Sequence, residues 1–180
     1  ISSADYQMSN ENLGKYTNSI KMVMDNKGFH RNAPMSFDIY LSKMRAHQTA
    51  ILSNIRSDHA SINVENRSLM YSSLVNMAND CLDILTNNHK DNLSKKDIIE
   101  SNRTLFEKKN KDYGNSFEDF AILGIIVRLN DKINRILNLS KSETRELVVD
   151  ERMEDTINDL YNYCMIAVSY THLTLPTNRE

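Results

Sequence analysis

The chain has 180 residues, of which 40% are hydrophobic and 26% are charged, and its formal net charge is −2 at pH 7. This mixture can bury one globular core, and the near-neutral charge argues against direct binding to nucleic acid or to an anionic membrane surface. No apolar run reaches the length that a membrane-spanning helix needs. Cys81 and Cys164 are isolated in the sequence, so we expect buried free thiols in a cytoplasmic protein.

Long helices are predicted along most of the chain, because only two prolines and four glycines interrupt it. Strand-like alternation is absent before the last ten residues. Apolar residues recur at helical spacing in six segments, at about residues 15–26, 36–57, 67–86, 94–113, 117–137 and 150–170. The first fifteen residues are predicted to be loose. The predicted fold class is therefore all-α, a helical bundle.

Three parts of the chain differ in their sequence signals. Residues 1–92 carry no functional motif and are predicted to form an N-terminal helical extension. Residues 93–170 hold the charged helix faces described below and are predicted to form the functional domain. Residues 171–180 break the helical pattern with β-forming residues and Pro176, so we expect a non-native tail there.

Local signals set two helix starts and one buried face. Ser94, followed by Asp97, forms a capping box, and Asp150 is predicted to cap the last helix. The second helix is expected to bury six apolar side chains, namely Ile39, Tyr40, Met44, Ile51, Leu52 and Ile55.

The helix predicted at residues 117–137 carries a charged face opposite its apolar stripe. On a helical wheel Arg128, Asp131 and Arg135 cluster on the far side from Ile133, and Lys132 lies beside them. An amphipathic helix commonly has a solvated face of this kind. The alternative is that these charges meet a ligand.

An acidic row follows on the last helix, where Glu151, Asp155, Asp159 and Asn162 are spaced by four, four and three residues. Like charges four residues apart cost roughly 0.2–0.5 kcal/mol each in a helix, and no lysine or arginine occurs between Arg152 and the last residues of the chain. Acids are favoured in a first turn, which explains Glu151 but not Asp159. The row therefore indicates either a solvated face or a Mg²⁺ site. If the basic face of the preceding helix lay opposite, the pair of helices would suit cleavage of a phosphoanhydride.

Three blocks of sequence resemble a known family. "KKNKDYGNSF", "RLNDKINRI" and "DERMEDTINDLYNY" are similar, over about residues 97–169, to the Nucleotide modification associated domain 1 family of phage and bacterial proteins. More distantly, the helix layout resembles all-α nucleoside triphosphate pyrophosphohydrolases of the MazG and dimeric dUTPase type. Those enzymes hold Mg²⁺ with an ExxE and an ExxD motif. Here Asn134 stands three residues after Asp131, and Thr156 stands where the Glu of ExxD would be.

The resemblance implies a MazG-like core of antiparallel helices and a Mg²⁺-dependent hydrolysis of a dNTP or modified dNTP to the monophosphate and pyrophosphate. It also implies a homo-oligomer. The implied metal ligands are Asp131, Asp155, Asp159 and Glu151, of which Glu151 and Asp155 are also the implied catalytic residues. The implied substrate-binding residues are Lys109, Asn110, Asp112, Tyr113, Arg128, Lys132, Arg135 and Asn162. Two alternatives stay open: a nucleotide-binding module without turnover, and a helical module that binds other proteins.

Overall fold

The computed structural model describes residues 3–30, 35–56, 61–62, 67–88, 91–113, 122–141 and 150–174. Within these ranges the chain forms six α-helices, a short 3₁₀ helix and a two-stranded ribbon. The α-helices are α1 (Ser3–Asp25), α2 (Phe37–Ser53), α3 (Arg67–Asn88), α4 (Lys95–Tyr113), α5 (Ile122–Leu139) and α6 (Glu151–Thr174). The 3₁₀ helix spans Lys27–His30, and strands β1 (Ile55–Arg56) and β2 (Ser61–Ile62) pair antiparallel. The all-α prediction is confirmed.

Helices α3 and α6 form the centre of the bundle and pack along each other. Both are apolar on more than one face, which is typical of a helix enclosed by neighbours. Leu74, Met77 and Leu82 of α3 are fully buried, as are Leu160 and Val168 of α6. Helix α6 also contacts α1, α4 and α5, whereas α2 packs on the outer side of α3. Side chains from both sides of the predicted boundary between residues 92 and 93 join one core cluster.

Helix α5 lies against α6 through one apolar stripe that includes Ile126, Leu129, Ile133 and Ile136, all of them buried. Its exposed residues then fall on the opposite face and along the two edges of the contact. The sequence pattern of α5 is therefore confirmed, and it determines which charged side chains lie beside α6.

The predicted helix starts at Ser94 and Asp150 are confirmed. The Asp97 carboxylate accepts hydrogen bonds from the Ser94 N–H at 2.9 Å and from the Ser94 hydroxyl at 2.8 Å, and the Ser94 hydroxyl accepts one from the Asp97 N–H at 3.2 Å. The Asp150 carboxylate accepts a hydrogen bond from the Met153 N–H at 2.8 Å. Three of these four bonds satisfy backbone N–H groups that the start of a helix leaves open.

Several predicted boundaries differ from the structure. Helix α1 begins at Ser3, although a loose segment was predicted there, and α6 continues to Thr174. Helix α2 ends at Ser53 rather than near residue 57. The Asn54 amide folds back onto the Ala50 carbonyl at 2.6 Å, and the ribbon, which was not predicted, follows at once. The predicted first residues of α5, 117–121, lie outside the described residues.

The predicted buried face of α2 is partly wrong. Tyr40, Met44 and Ile51 are buried, but Ile39 and Leu52 are about half exposed and Ile55 is half-buried. Helix α2 packs mainly against α3 and also contacts α5, and Ile39 and Leu52 lie on the part of its surface that stays in solvent. Within the described ranges, no helix is both long enough and apolar enough to cross a membrane.

Candidate functional site

The charged faces of α5 and α6 meet directly. The Lys132 ammonium lies 3.0 Å from the Asp159 carboxylate, and the Arg135 Nε donates a hydrogen bond to the Thr156 hydroxyl at 3.2 Å. Arg135 comes three residues after Lys132 on α5, whereas its partner Thr156 comes three residues before Asp159 on α6. The two helices therefore run antiparallel. Asp159 of the acidic row therefore has a cation of α5 as its partner.

The ion pair between Lys132 and Asp159 is a surface contact. The two side chains keep 30% and 41% of their accessible area, and such pairs contribute about 0–1 kcal/mol to folding because water competes for both partners. Both groups can thus be rearranged at low cost when a ligand binds.

Three basic residues follow one edge of α5. Arg128 and Arg135 are exposed and Lys132 is half-buried. Residues four and three apart lie on neighbouring positions of the same helix face. This edge, which we call the basic edge (Arg128, Lys132, Arg135), contacts α6 through Lys132 and Arg135. A guanidinium has five N–H donors, and the Thr156 contact uses one of those of Arg135.

The predicted metal ligands are not all brought together. Asp155 and Glu151 are exposed on α6, where Asp155 lies one turn before Asp159. Asp131 is exposed on α5 about 100° around the helix from Lys132, away from the contact with α6. Among the described residues, no group of three or more His, Cys, Asp or Glu side chains could hold a metal ion. The Mg²⁺ site stays a prediction.

The donor chemistry of α6 still fits Mg²⁺. This ion commonly binds one or two carboxylates, keeps several waters and takes further oxygens from substrate phosphates. Asp155 and Asp159 offer such a pair on one helix face. Asn134, which replaces the second acid of the ExxE motif, instead accepts a hydrogen bond from Gln48 of α2 at 2.9 Å.

The predicted sugar and base contacts lie at the end of α4. Lys109 is exposed there, but the side chains of Asn110, Asp112 and Tyr113 fall outside what the structure describes, as does Gly114. The helix itself ends at Tyr113. The roles given to these residues remain predictions.

Asn162 connects three helices through its amide. The Tyr16 hydroxyl of α1 donates to its oxygen at 2.6 Å, and its NH₂ group donates to the Asn102 oxygen of α4 at 2.9 Å. The Asn102 NH₂ group donates in turn to the Asn158 oxygen at 3.0 Å, and Tyr16 stacks on Phe106 with ring centroids 4.1 Å apart. Both ends of the Asn162 amide therefore take part in holding α1 and α4 on α6.

Residues 109–169 match the family model for Nucleotide modification associated domain 1. The match covers α5 and most of α6, and thus the basic edge and the acidic row. It begins later than the resemblance seen in the sequence, which started near residue 97. No curated protein and no solved structure matches the chain, and the more distant resemblance to the MazG type stays a prediction.

Outside the residues matched by Nucleotide modification associated domain 1, the structure contains a polar cavity of about 360 Å³ between α2, α3 and the 3₁₀ helix. Two ion pairs lie beside it. The Lys43 ammonium contacts the Asp80 carboxylate at 2.6 Å, and the Lys95 ammonium contacts the Asp83 carboxylate at 2.6 Å. We call this site the α2–α3 cavity. The corresponding sequence signal is a pair of acids, Asp80 and Asp83, three residues apart within the apolar part of α3.

Burial alters the protonation of the groups around the α2–α3 cavity. Asp80 is only 3% exposed, and this desolvation raises the pKa of its carboxyl although Lys43 acts in the opposite direction. Desolvation and the charge of Lys43 lower the pKa of the His47 imidazole. The His47 Nε2 lies 3.8 Å from the Asp80 Oδ2, which is too long for a hydrogen bond. His47 is therefore neutral near pH 7.

We expect His47 to make the folded chain less stable in mild acid. Its pKa is lower in the folded state than the unfolded value of 6.5, so below pH 6.5 the unfolded chain binds more protons and stability falls with falling pH. In the variant His47→Gln, the free energy of unfolding, measured by urea titration between pH 5 and 7.5, should fall less toward acid pH than it does in the wild type. Exposed His30→Gln is the matched control and should keep the wild-type slope. Equal slopes in all three proteins would contradict the burial of His47.

Proposed function

We propose that the protein processes a nucleotide, by Mg²⁺-dependent hydrolysis of a deoxynucleoside triphosphate to the monophosphate and pyrophosphate. The observation that carries this proposal is the contact between the basic edge of α5 and the acidic row of α6. It lies within the residues that match a family described by nucleotide modification. A phosphate chain needs cations along its length, and a metal site needs neighbouring carboxylates.

The basic and the acidic residues have different tasks in this proposal. Arg128, Lys132 and Arg135 bind phosphate oxygens through charge-assisted hydrogen bonds. Asp155 and Asp159 hold Mg²⁺, and to bind it Asp159 exchanges its contact with Lys132. The bound Mg²⁺ supplies positive charge that neutralises the phosphate oxygens.

Glu151 is exposed one turn before Asp155 and takes the proton of the attacking water. The reaction adds one water across a phosphoanhydride bond, so no further reactant is required.

The proposal is tested by product analysis with the purified chain. The chain is incubated with Mg²⁺ and, in separate reactions, with dATP, dCTP, dGTP, dTTP and base-modified dNTPs. We expect at least one of these triphosphates to be a substrate. That substrate should give monophosphate and pyrophosphate in equal amounts, and EDTA should stop the reaction. Release of inorganic phosphate and a diphosphate would contradict the proposed bond, and no product from any of these triphosphates would contradict hydrolysis.

A nucleotide-binding role without turnover is the second candidate. The observation that favours it is the direct contact of Lys132 with Asp159, since an ammonium already neutralises one of the two carboxylates proposed for the metal. This candidate predicts that a dNTP raises the melting temperature with or without Mg²⁺ while no product forms. A melting temperature that rises only when Mg²⁺ and dNTP are both present would count against it.

A further inference from the structure

The α2–α3 cavity has the features of a built site. Its volume of about 360 Å³ lies in the lower part of the range of about 300–1,000 Å³ that is usual for small-molecule pockets. Asn79 and Asp80, which line it, are each only 3% exposed. Among the described residues, the Asn79 Oδ1 and the Asp80 Oδ2 have no hydrogen-bond partner. Buried polar atoms are normally satisfied, so two such oxygens beside one cavity indicate a missing donor.

Several other polar side-chain atoms around the cavity are occupied, whereas the Nε2 of His47, another lining residue, also has no hydrogen-bond partner among the described residues. The Asn79 NH₂ group donates to the Asn26 side chain at 3.1 Å, the Asp80 Oδ1 accepts from Lys43, and Asp83 is paired with Lys95. Lys43 and Lys95 offset the charges of the two acids, and Lys27 also lines the cavity. A ligand that satisfies both unpaired oxygens must supply a hydrogen-bond donor to each of them.

We propose that the α2–α3 cavity binds an amino-bearing nucleobase, as the base of a nucleoside or nucleotide. The exocyclic amine of adenine, cytosine or guanine supplies two N–H donors to the Asn79 and Asp80 oxygens. Thymine and uracil carry a single ring N–H between two carbonyls, so one buried oxygen stays without a partner when they bind. The choice of a nucleobase among donors of this kind rests on the proposed function. The cavity itself does not depend on it.

Binding of nucleosides tests this inference without requiring hydrolysis. Calorimetry with deoxyadenosine, deoxycytidine, deoxyguanosine and thymidine, in the absence of Mg²⁺, is expected to show at least one amino-bearing nucleoside bound about tenfold or more tighter than thymidine. Repeating it with the matching dNTP distinguishes a site for nucleosides from one that needs the phosphates. If the dNTP bound but the free nucleoside did not, the binding free energy would come from the phosphates and the inference would be overturned. Equal affinity for thymidine and for the amino-bearing nucleosides would overturn it too.

A variant that fills the cavity locates the binding. Asn76 is a half-buried lining residue of α3, so Asn76→Phe should abolish nucleoside binding without breaking either ion pair. Ser68→Phe, at an exposed position of α3 that does not line the cavity, is the matched control and should bind normally. In the wild type, nucleoside addition should shift the amide resonances of Asn79 and Asp80. Unchanged resonances, or binding that survives in Asn76→Phe, would overturn the inference.

The outcome is separable from that of the proposed function. If Asn76→Phe still hydrolysed dNTPs with an unchanged base preference, the proposed function would be supported and the cavity would play no part in it. Nucleoside binding in a chain that hydrolyses none of the dNTPs would support the cavity and count against hydrolysis.

Discussion

Replacing Lys95 by methionine is expected to lower the free energy of unfolding by about 3–5 kcal/mol. The Lys95 and Asp83 side chains are only 10% and 11% exposed. The ammonium contacts the Asp83 carboxylate at 2.6 Å and also donates to the Phe29 carbonyl at 2.7 Å and the Gly28 carbonyl at 3.2 Å. Methionine keeps much of the side-chain volume but leaves a buried negative charge and two carbonyls without this donor.

Two further variants separate this charge effect from lost packing. Lys95→Met combined with Asp83→Asn should recover part of the loss, because no buried carboxylate then lacks a cation. Lys96→Met, at the exposed neighbouring position, should change the free energy of unfolding by no more than about 0.5 kcal/mol. Urea titration measures all three. A loss below about 1 kcal/mol in Lys95→Met would mean that water reaches Asp83 readily.

Replacing Asp155 by asparagine is expected to reduce pyrophosphate release by at least about 100-fold, since loss of a metal ligand removes several kcal/mol of transition-state stabilisation. Stability should barely change, because Asp155 is exposed and the variant relieves repulsion from acids one turn away. Asparagine keeps the shape and one oxygen of the side chain. The effect would therefore report charge and metal binding rather than folding.

Glu100→Gln is the matched control for Asp155→Asn. It removes one exposed carboxylate from α4 and should leave the rate of pyrophosphate release within about twofold of wild type. Melting curves of both variants verify that the fold persists. Full activity in Asp155→Asn, or an equal loss in Glu100→Gln, would remove α6 from the proposed catalysis.

Features determined by neighbouring residues could be predicted from the sequence. The caps at Ser94 and Asp150 depend on side chains within three positions of the backbone groups that they satisfy. The stripe of α5 depends only on helical spacing. The exposure of Ile39 and Leu52 on α2 could not be predicted in this way, because it depends on which faces of the helix the rest of the bundle covers.

Contacts between distant parts of the chain account for what the sequence did not reveal about the candidate site. After Arg152 the acidic row of α6 has no lysine or arginine in its own helix, and Lys132 of α5 contacts Asp159. Asp80 and Asp83 are tolerated in the apolar part of α3 because Lys43 and Lys95 reach them from α2 and α4. The contact of Asn162 with Tyr16 joins residues at opposite ends of the chain. No periodicity within one helix indicates such partners.

Amide chemical-shift mapping with Mg²⁺ and a non-hydrolysable dNTP analogue tests the central claim most directly, since it locates the triphosphate whether or not turnover occurs. The proposed function predicts that the largest shifts fall on residues 128–135 of α5 and 151–163 of α6, and that they weaken when Mg²⁺ is omitted. Shifts confined to the α2–α3 cavity, or an unchanged spectrum at millimolar analogue, would contradict a triphosphate site between α5 and α6.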